Sequence, residues 1–176
     1  MKTMTKQELI DAFVKNHQEL IDYVNALTDE EFTFSYDGKW TAGQQLSHAY
    51  LCLLPLPKSL ALKEYILQKF GKIDRLAWDY DTVMEQYMKT SRKAPERFLP
   101  EHIGPEQKTK LTADFQEILS AIQQSLDGFT EEDLDTFVLP HPILGNLTIR
   151  EMFYLMTYHP IHHLKQTQQG LNYKRK

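Results

Sequence analysis

The sequence predicts an all-α fold, a four-helix bundle with one long crossover connection, formed by a single domain over residues 1–176. Apolar residues recur at steps of three and four residues over long segments, which is the spacing of one helix face. The two-residue alternation that is typical of strands is hardly present. Capping boxes, in which a threonine and a side chain three residues later satisfy free backbone amides, mark three helix starts: Thr5-x-x-Glu8, Thr41-x-x-Gln44 and Thr148-x-x-Glu151.

The first two helical segments follow from this pattern directly. One continuous apolar stripe predicts a helix over residues 5–27. The second segment, residues 41–70, is also helical in character. Pro55 and Pro57 interrupt it and predict a kink or a break midway, because proline lacks an amide donor and crowds the preceding turn.

The other two helices lie beyond a long connection. Residues 71–105 form the predicted crossover, which holds a shorter amphipathic piece at 83–88. The third helix is predicted over residues 105–127. The fourth begins at the threonine box of residue 148, and Gly170 is its predicted C-terminal stop.

The chain also contains a weak internal repeat. Residues 28–32 and 130–134 each read as a short helical turn, followed by an irregular stretch and then a threonine-capped helix. A short extended piece is predicted near residues 32–36 or 137–139. The repeat suggests that the second and fourth helices occupy equivalent positions.

The composition excludes several classes of protein. With 41% apolar and 25% charged residues, it is that of an ordinary soluble globular protein. A formal charge of -4 argues against a nucleic-acid-binding protein, which needs basic residues to neutralise phosphates. The apolar stretch at residues 50–56 is too short to cross a membrane, and residues 1–8 do not resemble a secretory signal. A single cysteine excludes an intrachain disulfide and suits the cytoplasm.

Three histidines form the candidate metal site. His159 and His163 are four residues apart, so on a helix they face the same side, one turn from each other. His48 comes from the second helix and lies at an equivalent angle from its own cap. Three neutral imidazoles with an open coordination position favour zinc, nickel or iron over magnesium or calcium. Ordinary buried histidines are the alternative that spacing alone leaves open.

Four neighbours of these histidines need interpretation. Gln166 shares their helix face and is a candidate to orient a ligand or contact bound water, although a solvent-facing amide explains it equally well. His162 is a candidate for proton transfer, with a rim position as the alternative. Cys52 is four residues after His48 and is better explained as a small buried apolar residue than as a fourth ligand. Pro160 either kinks or breaks the last helix, and it excludes the zinc-protease motif, which requires glutamate at that position.

Two stretches of the sequence resemble the DinB/YfiT-like superfamily. Residues 40–48, WTAGQQLSH, are similar to the opening of that superfamily's second helix. Residues 141–148, HPILGNLT, lead into YHPIHHLKQ at 158–166, which is similar to its closing helix. The resemblance extends over nearly the whole chain in helix order, but these stretches are its specific part.

The resemblance implies a four-helix bundle with a metal bound by His48, His159 and His163. Superfamily members of known activity include thiol S-transferases and isomerases that use bacillithiol or mycothiol, and others are regarded as metal-dependent hydrolases. The expected function is therefore a metal-dependent transferase or hydrolase that acts on a small-molecule substrate, with a low-molecular-weight thiol as a second cofactor. The alternative is a non-enzymatic, stress-linked bundle that binds a small ligand or a metal. A homodimer is the assembly we consider, with no nucleic-acid or membrane partner.

Overall fold

The computed structural model describes residues 3–90 and 94–174. Its elements, in chain order, are α1 (Lys6–Asn25), α2 (Asp29–Phe32), α3 (Ala42–Leu53), α4 (Leu56–Leu60), α5 (Lys63–Lys69), α6 (Tyr80–Met88), α7 (Lys108–Asp127), α8 (Glu131–Thr136), β1 (Val138–His141), β2 (Gly145–Thr148) and α9 (Ile149–Lys174). Two short 3₁₀ turns, Glu96–Phe98 and Pro105–Gln107, lie between α6 and α7.

The four longest helices form the bundle and confirm the predicted all-α fold. Helix α1 packs against α7 and α9, and α3 packs against the same two helices and against α1. Buried aromatic and aliphatic side chains from all four helices form one apolar cluster, with Phe13, Leu46, Phe115 and Phe153 almost fully enclosed. Burial of this apolar surface is the main force that holds the helices together. Within the described residues, none of the helices is apolar and long enough to span a bilayer.

The predicted capping boxes are present. The Thr41 hydroxyl accepts from the amide of Gln44 at 3.1 Å, while the Gln44 side chain accepts from the Thr41 amide at 3.0 Å. The boxes at Thr5 and Thr148 close in the same way. The short turns of the internal repeat are the helices α2 and α8, each with its own threonine box.

Pro55 breaks the second helical segment, as the sequence predicts. Helix α3 ends at Leu53, and the segment continues as α4 and α5. Pro55 occupies the position before α4, where its missing amide leaves no hydrogen bond unmade. The amphipathic piece of the crossover is α6, and this prediction is confirmed too.

The predicted end of the last helix is wrong. Helix α9 continues through Gly170 to Lys174. Leu171 is buried, so apolar packing of the last turns outweighs the cost of a glycine in the helix. Pro160 lies inside α9 without breaking it. The neighbouring carbonyl of Thr157 accepts a hydrogen bond from the Asn16 side chain of α1 at 2.8 Å, which helps to hold this turn.

A β-hairpin that the sequence analysis largely missed leads into α9. Strands β1 and β2 pair antiparallel, with His141 opposite Gly145 and Val138 opposite Thr148. The prediction of extended chain near 137–139 is therefore confirmed, but the second strand was not foreseen. The alternative piece at 32–36 is wrong, because Phe32 ends α2 and the residues after it form no strand.

Candidate metal centre

The three predicted ligand histidines lie together between α3 and α9. The rings of His159 and His163 have their centroids 4.4 Å apart, and the His48 ring lies 5.1 Å and 4.8 Å from them. All three side chains are buried. Trp40 covers this cluster from the loop before α3, with its ring 4.9 Å from that of His48. The helical spacing of the pair and the packing of α3 against α9 thus produce the expected convergence.

Hydrogen bonds fix the tautomers of two of these rings. The Nδ1–H of His48 donates to the carbonyl oxygen of Phe98 at 2.6 Å. The Nδ1–H of His163 donates to Oε1 of Gln45 at 2.5 Å. Because carbonyl oxygens only accept, Nδ1 carries the proton in each ring and Nε2 carries a lone pair. This is the outer-shell arrangement that orients histidine ligands in metal sites.

The third ring lies at a distance from His163 that suits two ligands of one metal ion. Nε2 of His159 lies 3.0 Å from Nε2 of His163. Two nitrogens at ~2.0–2.1 Å from one ion are roughly 3.0–3.4 Å apart at ordinary coordination angles. Nδ1 of His159 is buried and has no hydrogen-bond partner among the described residues. The candidate donor atom of this ring is its other nitrogen, Nε2, which lies beside the lone pair on Nε2 of His163.

The electrostatics of the cluster keep the rings neutral. Burial lowers the pKa of His159 and of His163 well below the usual value, and neighbouring histidines lower both further. Burial also lowers the pKa of His48. A metal binds only the neutral imidazole, so a low pKa leaves the donor atoms available at neutral pH.

Cys52 lies beside the cluster, although its sequence context favours a buried apolar residue over a ligand. It is half-buried rather than buried, and its Sγ is 3.7 Å from Nε2 of His48. The donor atoms of His48, Cys52 and His159 lie within 4.8 Å of one another, so the group that could hold a metal ion among the described residues has Cys52 where the sequence predicts His163. Burial raises the pKa of the Cys52 thiol to about 12.

A cavity of about 410 Å³ opens onto this cluster. His48, His159, Cys52 and His162 line it, and His163 is not among its lining residues. Much of the remaining wall is apolar and comes from β1, α9 and the segment between α6 and α7. The cavity gives a small molecule access to the candidate ligands.

The two residues that the sequence analysis named as catalytic lie at the edge of the site. Half-buried His162 lines the cavity, and its Nε2 accepts from the Gln166 amide at 2.9 Å. Gln166 itself is exposed and lines a second cavity, on the side of Trp40. A role in chemistry stays a prediction for both residues.

The amide that orients a candidate ligand is Gln45, which sequence reasoning missed. Gln45 precedes His48 by three residues, so both side chains project from one face of α3. That spacing was a usable signal. The sequence does not single out Gln45, because its neighbour Gln44 is the glutamine of the capping box.

Comparison with known proteins agrees with this geometry. The family model of the DinB superfamily matches residues 12–167, which is most of the chain and includes every residue of the candidate centre. The chain belongs to the DinB superfamily. The resemblance carried by residues 40–48 and 158–166 is thereby confirmed. No curated protein matches the sequence.

Proposed function

We propose that this DinB superfamily protein is a metal-dependent transferase or hydrolase that acts on a small molecule. His48, His159 and His163 would hold one divalent transition metal, namely zinc, nickel or iron. Bound there, the metal would supply Lewis-acid activation of a thiol or of water. We further propose a cytoplasmic location, a low-molecular-weight thiol as the second cofactor and a homodimer as the assembly.

One observation carries this proposal. The lone pairs on Nε2 of His48 and His163 are fixed by hydrogen bonds to Phe98 and Gln45, both rings lie beside His159, and His48 and His159 line a cavity. Purely structural histidines need no such cavity. A three-histidine set of which two members line a cavity suits a catalytic metal site, which keeps one position for substrate.

The chain's own residues suggest how protons would be handled. Many of the side chains that line the cavity are apolar, so a bound substrate would displace water from around the reacting groups. Nε2 of His162 holds a hydrogen bond from Gln166, so its Nδ1 is the proton-bearing atom. We propose that His162 exchanges a proton with the substrate from this position.

Metal content and turnover together test the proposal. Protein purified without a histidine tag should contain about one divalent transition metal per chain. Metal-loaded protein should then transfer bacillithiol, glutathione or a simple thiol to a halogenated arene, or hydrolyse an ester or amide. His162→Ala should lower turnover while it leaves the metal content unchanged. Full metal occupancy without any turnover would contradict the proposal that the protein is an enzyme.

A non-enzymatic metal-binding or small-ligand-binding protein is the second candidate, and the position of Cys52 favours it. Structural zinc sites are closed by four protein ligands, and Sγ of Cys52 lies close enough to His48 to supply the fourth. X-ray absorption of the zinc-loaded protein separates the two candidates. An open site should show nitrogen or oxygen neighbours alone. A sulfur neighbour at about 2.3 Å that disappears in Cys52→Ser would establish the closed site.

A further inference from the structure

The cavity above the histidines has an unusual distribution of polar groups. Aspartate and glutamate are absent from its wall among the residues that the structure describes. Arg97 supplies the one formal charge of that described wall. Apolar side chains make up much of the rest, including Leu139, Met152 and Met156. A ligand that fits such a surface has an apolar body and no need of an acidic partner.

His141 presents a hydrogen-bond donor of fixed identity to this cavity. Its Nδ1 accepts from the backbone amides of Ile143 at 3.3 Å and Leu144 at 3.1 Å, in the turn between β1 and β2. The proton of the neutral ring must therefore be on Nε2. Burial lowers the pKa of His141 to about 4, so the ring stays neutral at physiological pH. Nε2–H is the one polar group of this side chain that remains for a ligand.

Arg97 supplies the second donor. Its guanidinium lies over the Phe98 ring, 4.7 Å from the centroid, and it makes no ion pair with the described residues. Phe98 also anchors His48 through its carbonyl oxygen. Arg97 is therefore held next to the residue that orients a candidate metal ligand, and its positive charge is unneutralised.

Two of the three side-chain hydroxyl groups in the described wall are already engaged within the protein. Ser59 donates to the carbonyl of Pro55, and Thr90 donates to that of Tyr87, both at 2.8 Å. Burial raises the pKa of the Tyr87 phenol, so that hydroxyl stays protonated. None of these groups adds a negative charge. Away from the histidines of the candidate metal centre, the polar side chains of the described wall thus present donors and a positive charge to a ligand.

We propose that this cavity binds a small organic anion, such as an aromatic carboxylate, with its apolar body on the Met152 and Met156 side. The anionic oxygens accept hydrogen bonds from Nε2–H of His141 and from Arg97. This assignment names the substrate class of the proposed function and rests on it. It identifies Arg97 and His141 as binding residues distinct from the candidate metal ligands.

Three probes of one shape test the preference for an anion. The probes are 2-naphthoate, neutral 2-naphthylmethanol and cationic 2-naphthylmethylamine, titrated calorimetrically into the full chain with and without zinc. We expect 2-naphthoate to bind at least about tenfold more tightly than either analogue, because charge-assisted hydrogen bonds form only with the anion. The preference should persist without zinc, since the chain's own donors provide it.

Variants assign the preference to particular residues. Arg97→Gln should remove most of the preference for 2-naphthoate. Lys15 is an exposed lysine of α1, so Lys15→Gln, the matched control for net charge, should leave that preference unchanged. Asparagine and aspartate can both accept from turn amides, so His141→Asn and His141→Asp should keep the hairpin. The first should weaken 2-naphthoate binding several-fold. The second should weaken it further and improve binding of the amine, because it places a carboxylate in the cavity. Melting temperatures check that each variant is folded.

The outcomes separate this inference from the proposed function. Equal binding of the three probes, or an anion preference unchanged in Arg97→Gln and His141→Asn, would overturn the inference. A preference that appears only with zinc and ignores Arg97 would mean that the carboxylate binds the metal, and would also overturn it. Anion selectivity in a chain that takes up no metal would support the inference and contradict the proposed function instead.

Discussion

Residues 28–53 and 130–174 bring histidines to one site through the same sequence of elements. Each contains a short threonine-capped helix, then a connection, then a longer threonine-capped helix that carries the candidate ligands. The connections differ, because the first is irregular and the second is the β-hairpin. The ways in which the two longer helices are anchored differ even more.

Equivalent positions two residues after each cap show the contrast. In the first segment this position is Gly43, where an added Cβ would lie 2.6 Å from the Phe32 ring of α2. In the second it is Arg150, whose buried guanidinium forms ion pairs with Glu131 and Asp135 of α8. The same docking of a short helix on a long one is achieved by close apolar contact in one case and by charge in the other.

The third residues of the two helices also differ in charge and in burial. Gln44 completes its box as a neutral, half-buried side chain. Glu151 is fully buried and accepts from Arg75, from the Trp78 amide and from the Thr148 amide. Helix α9 is thus tied to the crossover by a partly buried ion pair, while α3 depends on packing. We infer that the α3 side, with His48, is the more easily displaced side of the site.

The largest expected effect comes from breaking the charged anchor. Glu151→Ala leaves an arginine and two backbone amides without their acceptor, so the free energy of unfolding should fall by about 3 kcal/mol. Gln44→Ala at the equivalent position should cost about 1 kcal/mol, as for loss of an ordinary cap. Urea unfolding of both variants measures the difference. Equal losses would show that the two anchors do not differ.

Acid should destabilise the bundle through His17, on the α1 helix that packs against α9. Burial lowers the pKa of His17 to about 4 from an ordinary 6.5, although its Nδ1–H donates to the Phe13 carbonyl. Between these pH values the unfolded chain binds the proton that the folded chain excludes. The contribution of neutral His17 to the stability of the fold is therefore fully present above pH 6.5. It should fall by about 3 kcal/mol by pH 4 from this residue alone.

A histidine substitution isolates this contribution. In metal-free protein, His17→Leu should make the dependence of the unfolding free energy on pH between 4 and 6.5 less steep by the contribution of one proton, while the other buried histidines keep theirs. His102→Gln, at an exposed histidine, should leave it steep. A slope that His17→Leu does not change would assign the acid sensitivity to other groups.

A methyl group added at Gly43 should have the next largest effect on the stability of the protein. Gly43→Ala pushes a methyl group into the Phe32 ring, which should cost about 2 kcal/mol and displace α3 with His48. Gly170→Ala is the matched control, because an added Cβ meets nothing within 4 Å there. Since Gly170 lies inside α9, that change should stabilise the protein by roughly 0.5–1 kcal/mol. A Gly43→Ala variant as stable as the wild type would remove the contrast between the segments.

The smallest effect concerns the amide that links the two segments. Gln45 of α3 accepts from His163 of α9, so Gln45→Leu should weaken metal affinity by roughly 10–100-fold while the bundle stays folded. Gln166→Leu should change the affinity little, because its amide reaches His162 instead. Zinc competition with a coloured chelator measures both. A larger loss of metal affinity in Gln166→Leu than in Gln45→Leu would mean that Gln166 contacts or orients a metal ligand.

The sequence predicted the parts of this structure that depend on local chemistry. Threonine boxes and apolar spacing placed the bundle helices, and helical geometry put His159 beside His163. Gly170 was misread because its local signal is real but the burial of Leu171, a tertiary effect, outweighs it. The second strand was missed because four residues of a hairpin carry too little alternation to recognise.

The surroundings of the site depend on contacts between distant segments, which one sequence does not reveal. His141 and Arg97 are 44 residues apart in the chain and line one cavity with His48. The role of Gln45 depends on a bond to a residue 118 positions away. Such contacts follow from helix packing, not from spacing along the chain.

Metal analysis of single-histidine variants tests the central claim, that both segments supply ligands to one metal. Untagged wild-type protein, His48→Ala, His163→Ala and the exposed control His102→Ala should be purified alike, and their metal content measured by plasma mass spectrometry. We expect about one transition-metal ion per chain in the wild type and in His102→Ala. His48→Ala and His163→Ala should each lose it, because each removes one of three ligands. Unchanged metal content in His48→Ala, or a wild-type protein that takes up none, would contradict the account.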